Sequence, residues 1–280
     1  MDLRSRLLNG LDRIGPPFWD PAPERAIYQA IAELHRRAER GAAPPLSLDL
    51  SPYELRVFSQ NGEDGVLDEL VRRVGTSERP TFVEFGTEGG VQANCVYLAD
   101  VARWHGHFIE AADDSFAALQ AKYEPNPRVV TTKSFVTPEG IDELFGRIGV
   151  PAEPDVLSID IDGHDYWVWE ALQAHRPRIV VIEYNGALGR QPLVQARDSP
   201  PVWNETEYFG ASATALAQLG VRKGYRHVYC DLAGLNAFFV RDDLADDARF
   251  LPPAEVAIRA PNFRLLGRRH RPGTGPYQQV

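Results

Sequence analysis

The sequence predicts an α/β protein: a doubly wound, mostly parallel seven-stranded sheet with an antiparallel last strand and an N-terminal helical appendage. Three observations predict it. Short, continuously apolar runs alternate with helical segments from residue 53 onward, as in parallel sheets covered on both faces. The first of those runs ends in a glycine-bearing turn that leads into a helix. The last two runs are separated by only Asp-Leu-Ala-Gly-Leu, too short for a crossover, so they must pair antiparallel.

Taken in order, Leu3, Leu7, Leu11 and Ile14 recur at helical spacing, and 24–40 reads as a second helix ending at Gly41. The proline-bearing stretch 42–52 reads as a linker, giving an appendage over 1–50 and a main domain over 51–250. A helix is predicted over 63–74, capped by the preceding Ser-Gln-Asn-Gly. Strands are predicted at 81–85, 107–111, 128–134, 156–160 and 178–184, with helices near 92–104, 114–123, 138–147 and 165–174 between them. A long irregular stretch, 186–211, precedes a helix at 212–223 and strands at 225–230 and 236–240. The basic tail within 251–280 is expected to be loosely held.

A formal net charge of −9 argues against a nucleic-acid binder. Cys95 and Cys230 lie in apolar runs and suit reduced core residues of a cytoplasmic protein. No apolar run approaches membrane-spanning length. The N-terminal amphipathic helix suits packing on the body or on a second subunit, so a homo-oligomer is one expectation.

The turn after the first strand reads Glu84-Phe85-Gly86-Thr87-Glu88-Gly89-Gly90. A dinucleotide site needs G-x-G-x-x-G, whereas Glu88 and Val91 hold the second and third glycine places. A carboxylate there repels a pyrophosphate but suits the sulfonium and ammonium of S-adenosylmethionine. Gly86 and Gly90 let the backbone approach that ligand, and Glu84 and Glu88 complement its charge. Glu110, ending the next strand, stands where ribose-hydroxyl acceptors sit in such Rossmann-like sheets, and Ser134 ends the third strand near the adenine edge.

The segment LSIDIDGHDYW (157–167) places Asp160, Asp162, His164 and Asp165 at the end of the fourth strand, and Glu183 and Asn185 end the fifth. Asp160 is expected to serve both cofactor and chemistry, and His164 to act as general base. Asp160, Glu183 and Asn185 form an oxygen set suited to Mg²⁺ or Mn²⁺. The alternative is helix capping by Asp162 or Asp165 with no metal. D-x-D spacing at Asp160 and Asp162 also admits a metal-dependent phosphate-directed hydrolase or a glycosyl transferase, and a non-catalytic module of the same fold is a third class. Neither D-x-D reading accounts for TFVEFGTEGG (81–90) or Glu110.

The segments SQNGEDGVL (59–67), FVEFGTEGG (82–90), FIEA (108–111), LSIDIDGHDYWVWEAL (157–172), RIVVIEYN (178–185), YFGAS (208–212) and NAFFVR (236–241) together resemble FkbM-type methyltransferases over roughly 53–245. The resemblance implies a class I methyltransferase that uses S-adenosylmethionine. It further implies O-methylation of a sugar-like or other small polar acceptor in natural-product or polysaccharide chemistry. Glu88 departs from the family's usual middle glycine. The acceptor is expected over 186–212, with Trp203, Tyr208 and Phe209 as stacking surfaces.

Overall fold

A computed structural model describes residues 47–200, 203–262 and 271–280. Nearly all of the expected appendage, including the helices at 3–14 and 24–40, lies outside the described residues. Seven strands form the main sheet: β1 (Thr81–Phe85), β2 (His105–Glu110), β3 (Val129–Lys133), β4 (Val156–Ile159), β5 (Ile179–Glu183), β7 (Tyr225–Cys230) and β8 (Asn236–Arg241). They lie in the order β3-β2-β1-β4-β5-β8-β7. β1 to β5 are mutually parallel, and β8 runs antiparallel to both β5 and β7. The reversed strand is therefore next to the end of the sheet, and β7 forms the edge. This is the predicted Rossmann-like, doubly wound α/β architecture.

Side-chain alternation builds a core on each face. Val83, Phe85, Leu157, Ile159, Val180 and Ile182 face one cluster, which includes residues of α4 (Ile141–Ile148), α5 (Asp165–Ala171) and α6 (Ala213–Lys223). Phe82, Val156, Ile179 and Val181 face the other, with α1 (Glu63–Val74), α2 (Val96–Asp100) and α3 (Asp113–Tyr123). The β7–β8 turn is held by Asp231, whose Oδ1 accepts the N–H groups of Gly234 and Leu235.

One expectation is met from a different position and three are corrected. Gly62 at the N-cap of α1 has no side chain to offer, but the Ser59 hydroxyl of the Ser-Gln-Asn-Gly segment accepts the N–H of Asp64 in the first turn at 3.2 Å. Asp64 reaches back in turn, and its Oδ2 accepts the N–H groups of Val57, Phe58 and Ser59 and the Ser59 hydroxyl. The helix near 92–104 shrinks to α2, because Glu84 holds the N–H groups of Asn94 and Cys95 in the loop before it. The stretch 186–211 is not wholly irregular: it contains β6 (Leu193–Gln195). Finally, the end of the tail is tied down, because β9 (Tyr277–Gln279) pairs antiparallel with β6 in a separate two-stranded sheet. The Tyr208 hydroxyl donates to the carbonyl of Pro276 and reinforces that tie.

Candidate functional site

A cavity of about 570 Å³ opens at the carboxyl ends of β1, β2, β4, β5 and the start of β8. That volume suits a cofactor or small ligand, and the location is where open α/β sheets bind them. The cavity draws on Gly86 to Glu88 after β1, Glu110 ending β2, Ser134 to Val136 after β3, Asp160 to Asp162 after β4, and Glu183 with Asn185 at β5.

The turn after β1 is forced by its neighbours. Gly86 sits at φ +80°, and a Cβ there would run into the Asp160 carbonyl. Only glycine allows β1 and β4 to deliver their loops this close together. Glu88, Asp162 and Glu205 are non-glycine residues at φ between +43° and +62°, and all three line the cavity. Strained backbone of this kind concentrates at functional sites.

The acids divide by what surrounds them. Glu84 is buried, and its two oxygens accept the N–H groups of Asn94 at 2.7 Å and Cys95 at 2.8 Å. Burial still pushes its carboxyl up to about 7. Glu110 Oε1 accepts the N–H groups of Ala111 and Ala112, and Oε2 accepts the Thr87 hydroxyl at 3.2 Å. Asp165 is spent on the loop itself, accepting from the N–H groups of Ile161 and Gly163. These N–H groups precede α5, which has no side-chain cap, so Asp165 braces the loop and does not cap the helix as expected.

Asp160, Asp162 and Glu183 are different. Each offers a carboxylate oxygen, and the three oxygens lie within 4.8 Å of one another. Burial, followed by repulsion from Asp162, holds the Asp160 carboxyl well above its ordinary range. Burial and then Asp160 do the same to Glu183, and Asp162 is pushed up to about 6. Like charges this close cannot all ionise without a compensating cation.

The structure thus brings Glu84, Gly86, Glu88, Glu110, Ser134, Asp160, Glu183 and Asn185 to one cavity, although Gly90 and His164 do not line it. Gly90 packs instead towards Leu119 of α3 at φ +72°. His164 is buried at the N-cap of α5, where burial lowers its pKa and Ser199, Asp165, Glu139 and Arg197 are its polar surroundings. Asn185 lines the cavity with its amide committed: Oδ1 accepts the N–H of Ala187, and Nδ2 donates to the carbonyls of Glu207 and Phe209. Ser134 is half-buried, and its hydroxyl reaches the Phe135 carbonyl at 3.4 Å.

Of the expected stacking residues, Trp203 and Phe209 line the cavity with ring centroids 6.1 Å apart. Tyr208 does not line it, because its hydroxyl is engaged by Ser199 and Pro276. Sequence reasoning missed Gln60, Glu205, Glu207 and Asn236. The readable trace was the pair of acids, Glu205 and Glu207, that follows Trp203 closely in the sequence.

No protein-family model matches this chain, and no curated protein matches it either. Similar solved structures include TrmK of M. capricolum bound to S-adenosylhomocysteine, at 12% identity over 62% of this chain and 65% of that one, TM-score 0.36. An O-methyltransferase from Bacillus cereus, also with S-adenosylhomocysteine, shows 19% identity over 66% and 75% of the two chains, TM-score 0.31. The METTL16 methyltransferase domain shows 15% identity over 82% and 83%, TM-score 0.42. The fold class rests on this chain's own strand order, not on likenesses of this distance. No helix among the described residues is long and apolar enough to cross a membrane.

Proposed function

We propose that the protein is an S-adenosylmethionine-dependent methyltransferase whose main domain spans 51–250 and the strand that returns to it near the C-terminus. The observation that carries this reading is the lining of the cavity. Gly86 lets the loop after β1 close against the Asp160 carbonyl at the cavity wall, Glu110 stands at the end of the adjacent strand, and carboxylates surround the space between them. A nucleoside with a positive pole matches that combination, and a dinucleotide pyrophosphate does not. The motif resemblance to FkbM-type enzymes supports the same reading and points to O-methylation of a small polar acceptor.

When bound, S-adenosylmethionine supplies a methyl group activated by a positive sulfur. The chain's own residues do the rest. Glu110 accepts ribose hydroxyls, while the Gly86–Glu88 turn and Asp160 face the methionyl end. An acceptor hydroxyl aligned with the methyl carbon forms the C–O bond as the S–C bond breaks. Its proton passes to Asp160 or to Asp162, whose carboxyl burial pushes up to about 6, where it suits a base working near neutral pH. His164 is left out of this role because it does not line the cavity. Alignment accounts for most of the expected rate gain.

A second reading adds Mg²⁺ or Mn²⁺ at Asp160, Asp162 and Glu183, favoured by the convergence of their oxygens. Asp162 replaces Asn185 in that set, because the Asn185 amide is already engaged at both ends. Methyl transfer measured with and without chelator decides between the two. A phosphate-directed reaction at the same acids is disfavoured, because no Lys, Arg or His is among the described residues lining the cavity.

Calorimetric titration with S-adenosylmethionine and S-adenosylhomocysteine tests the main reading. Glu110→Ala is expected to weaken binding by about 1–3 kcal/mol, the scale for losing a charged acceptor. Unchanged affinity removes Glu110 from the site, and no binding of either compound to the wild-type protein overturns the assignment.

A further inference from the structure

Among the described residues, the acceptor side of the cavity presents no positively charged side chain. β5 and β8 pair antiparallel with Glu183 directly opposite Asn236, so the two side chains are cross-strand neighbours on one face of the sheet. Both line the cavity. Each carries a buried oxygen with no protein partner among the described residues, Glu183 Oε2 and Asn236 Oδ1. The orientation of Asn236 is fixed by chemistry: its Nδ2 donates to Glu63 Oε1 at 2.9 Å, so Oδ1 is the end left over. Asn236 is only 4% exposed, and a buried acceptor without a donor is unfavourable.

The charge balance points the same way. Eight carboxylate residues line the cavity: Glu84, Glu88, Glu110, Asp160, Asp162, Glu183, Glu205, which Arg271 pairs at 2.9 Å from outside the lining, and Glu207. Among the described residues no basic side chain lines it. S-adenosylmethionine carries a sulfonium and an ammonium against one carboxylate, so it contributes a single net positive charge. An anionic acceptor would be repelled, and a neutral one could donate a hydroxyl to the orphaned oxygens but would leave the excess charge uncompensated. An ammonium has three donors and no acceptor, and an aromatic face attracts it. Trp203 and Phe209 supply such faces in the same cavity.

We propose that the methyl acceptor is a hydroxyl-bearing amine whose ammonium group is held by Glu183 and Asn236, with its ring against Trp203. This names a substrate class for the site and rests on the methyltransferase reading.

The test uses the full-length protein saturated with S-adenosylhomocysteine, with chelator present. It is titrated at pH 7 with three sugars on a common ring: glucosamine, N-acetylglucosamine and glucuronate. Glucosamine is expected to bind on the order of ten-fold tighter than its neutral counterpart, with glucuronate weakest. Glu183→Gln should erase that preference. Asn236→Leu, which removes the orphaned oxygen without setting a second carboxylate against Glu63, should narrow it several-fold. Equal, reversed or absent discrimination overturns the proposal, as does a preference unmoved by both variants. Binding of S-adenosylhomocysteine, measured first in each preparation, reports separately on the methyltransferase reading and on folding.

Discussion

The two halves of the cavity treat their carboxylates in opposite ways. Beside β1 and β2, Glu84 and Glu110 are met by backbone N–H groups and a threonine hydroxyl, and these contacts shape the loops after each strand. Beside β4 and β5, Asp160, Asp162 and Glu183 crowd together, and no protein donor among the described residues reaches the buried Glu183 Oε2. Acids of the first kind hold the fold and acids of the second kind act against it, because burial and mutual repulsion disfavour their charge. The difference teaches which acids the protein already satisfies, Glu110 keeping acceptor capacity for a ligand, and which depend on a ligand for compensation. A protein that keeps three mutually repelling carboxylates in one cavity gives up stability for function.

The largest effect should come from the point where the two halves touch. Gly86→Ala places a methyl group against the Asp160 carbonyl at a φ that alanine rarely adopts. We expect a loss of at least about 3 kcal/mol in urea unfolding together with loss of cofactor binding. A stable, binding-competent variant would break the claim that the loops after β1 and β4 are locked to each other. Next in size is an architectural acid. Asp64→Ala removes the acceptor for three backbone N–H groups and the Ser59 hydroxyl. The expected cost is about 3 kcal/mol, read in the same unfolding experiment. If Asp64→Ala cost no more than a surface substitution, the division into two kinds of acid would fail.

The same division separates what sequence showed from what it did not. The alternation of β1 to β5, the Gly86 turn and the reversed strand β8 were legible because each follows from local pattern: apolar period, glycine at a strand end, a five-residue connection. Asp160, Glu183 and Glu110 were legible as strand-end acids for the same reason. The fate of each side chain was not. Asn185 and Asp165 look as free as Asp160 in the sequence, yet one binds the carbonyls of Glu207 and Phe209 and the other folds back on Ile161 and Gly163. His164 follows Asp162 by two residues, but the turn at Asp162, φ +56°, ends the strand alternation that would have aimed it at the cavity. The β6–β9 pair joins segments about 80 residues apart, and no local period announces a contact of that range.

The smaller effects concern the unsatisfied acids, and here the sign is the test. Glu183→Gln removes a charge that its surroundings disfavour, so the unliganded variant should be more stable than the parent, by on the order of 1 kcal/mol. That corresponds to about 2–4 °C in melting temperature for a domain of this size. Alongside it, burial pushes the Asp162 carboxyl up to about 6 and, among the acids held by backbone N–H groups, those of Asp64 and Glu84 up to about 6 and about 7. A carboxyl raised in the folded state keeps a proton that the unfolded chain has already released near pH 4. The folded form therefore binds more protons across that window, and stability falls as pH climbs from about 4 towards 7. Melting temperature of the unliganded protein should accordingly decline over the upper part of this range, from pH 5 to 7. S-adenosylmethionine brings positive charge to the cavity acids and should flatten the decline. S-adenosylhomocysteine has no sulfonium, so it should flatten the decline less, and that difference is the smallest effect expected. A decline that the two ligands flatten equally would show that the sulfonium does not face the Asp160–Asp162–Glu183 group, and the boundary between the two halves would then have to be redrawn.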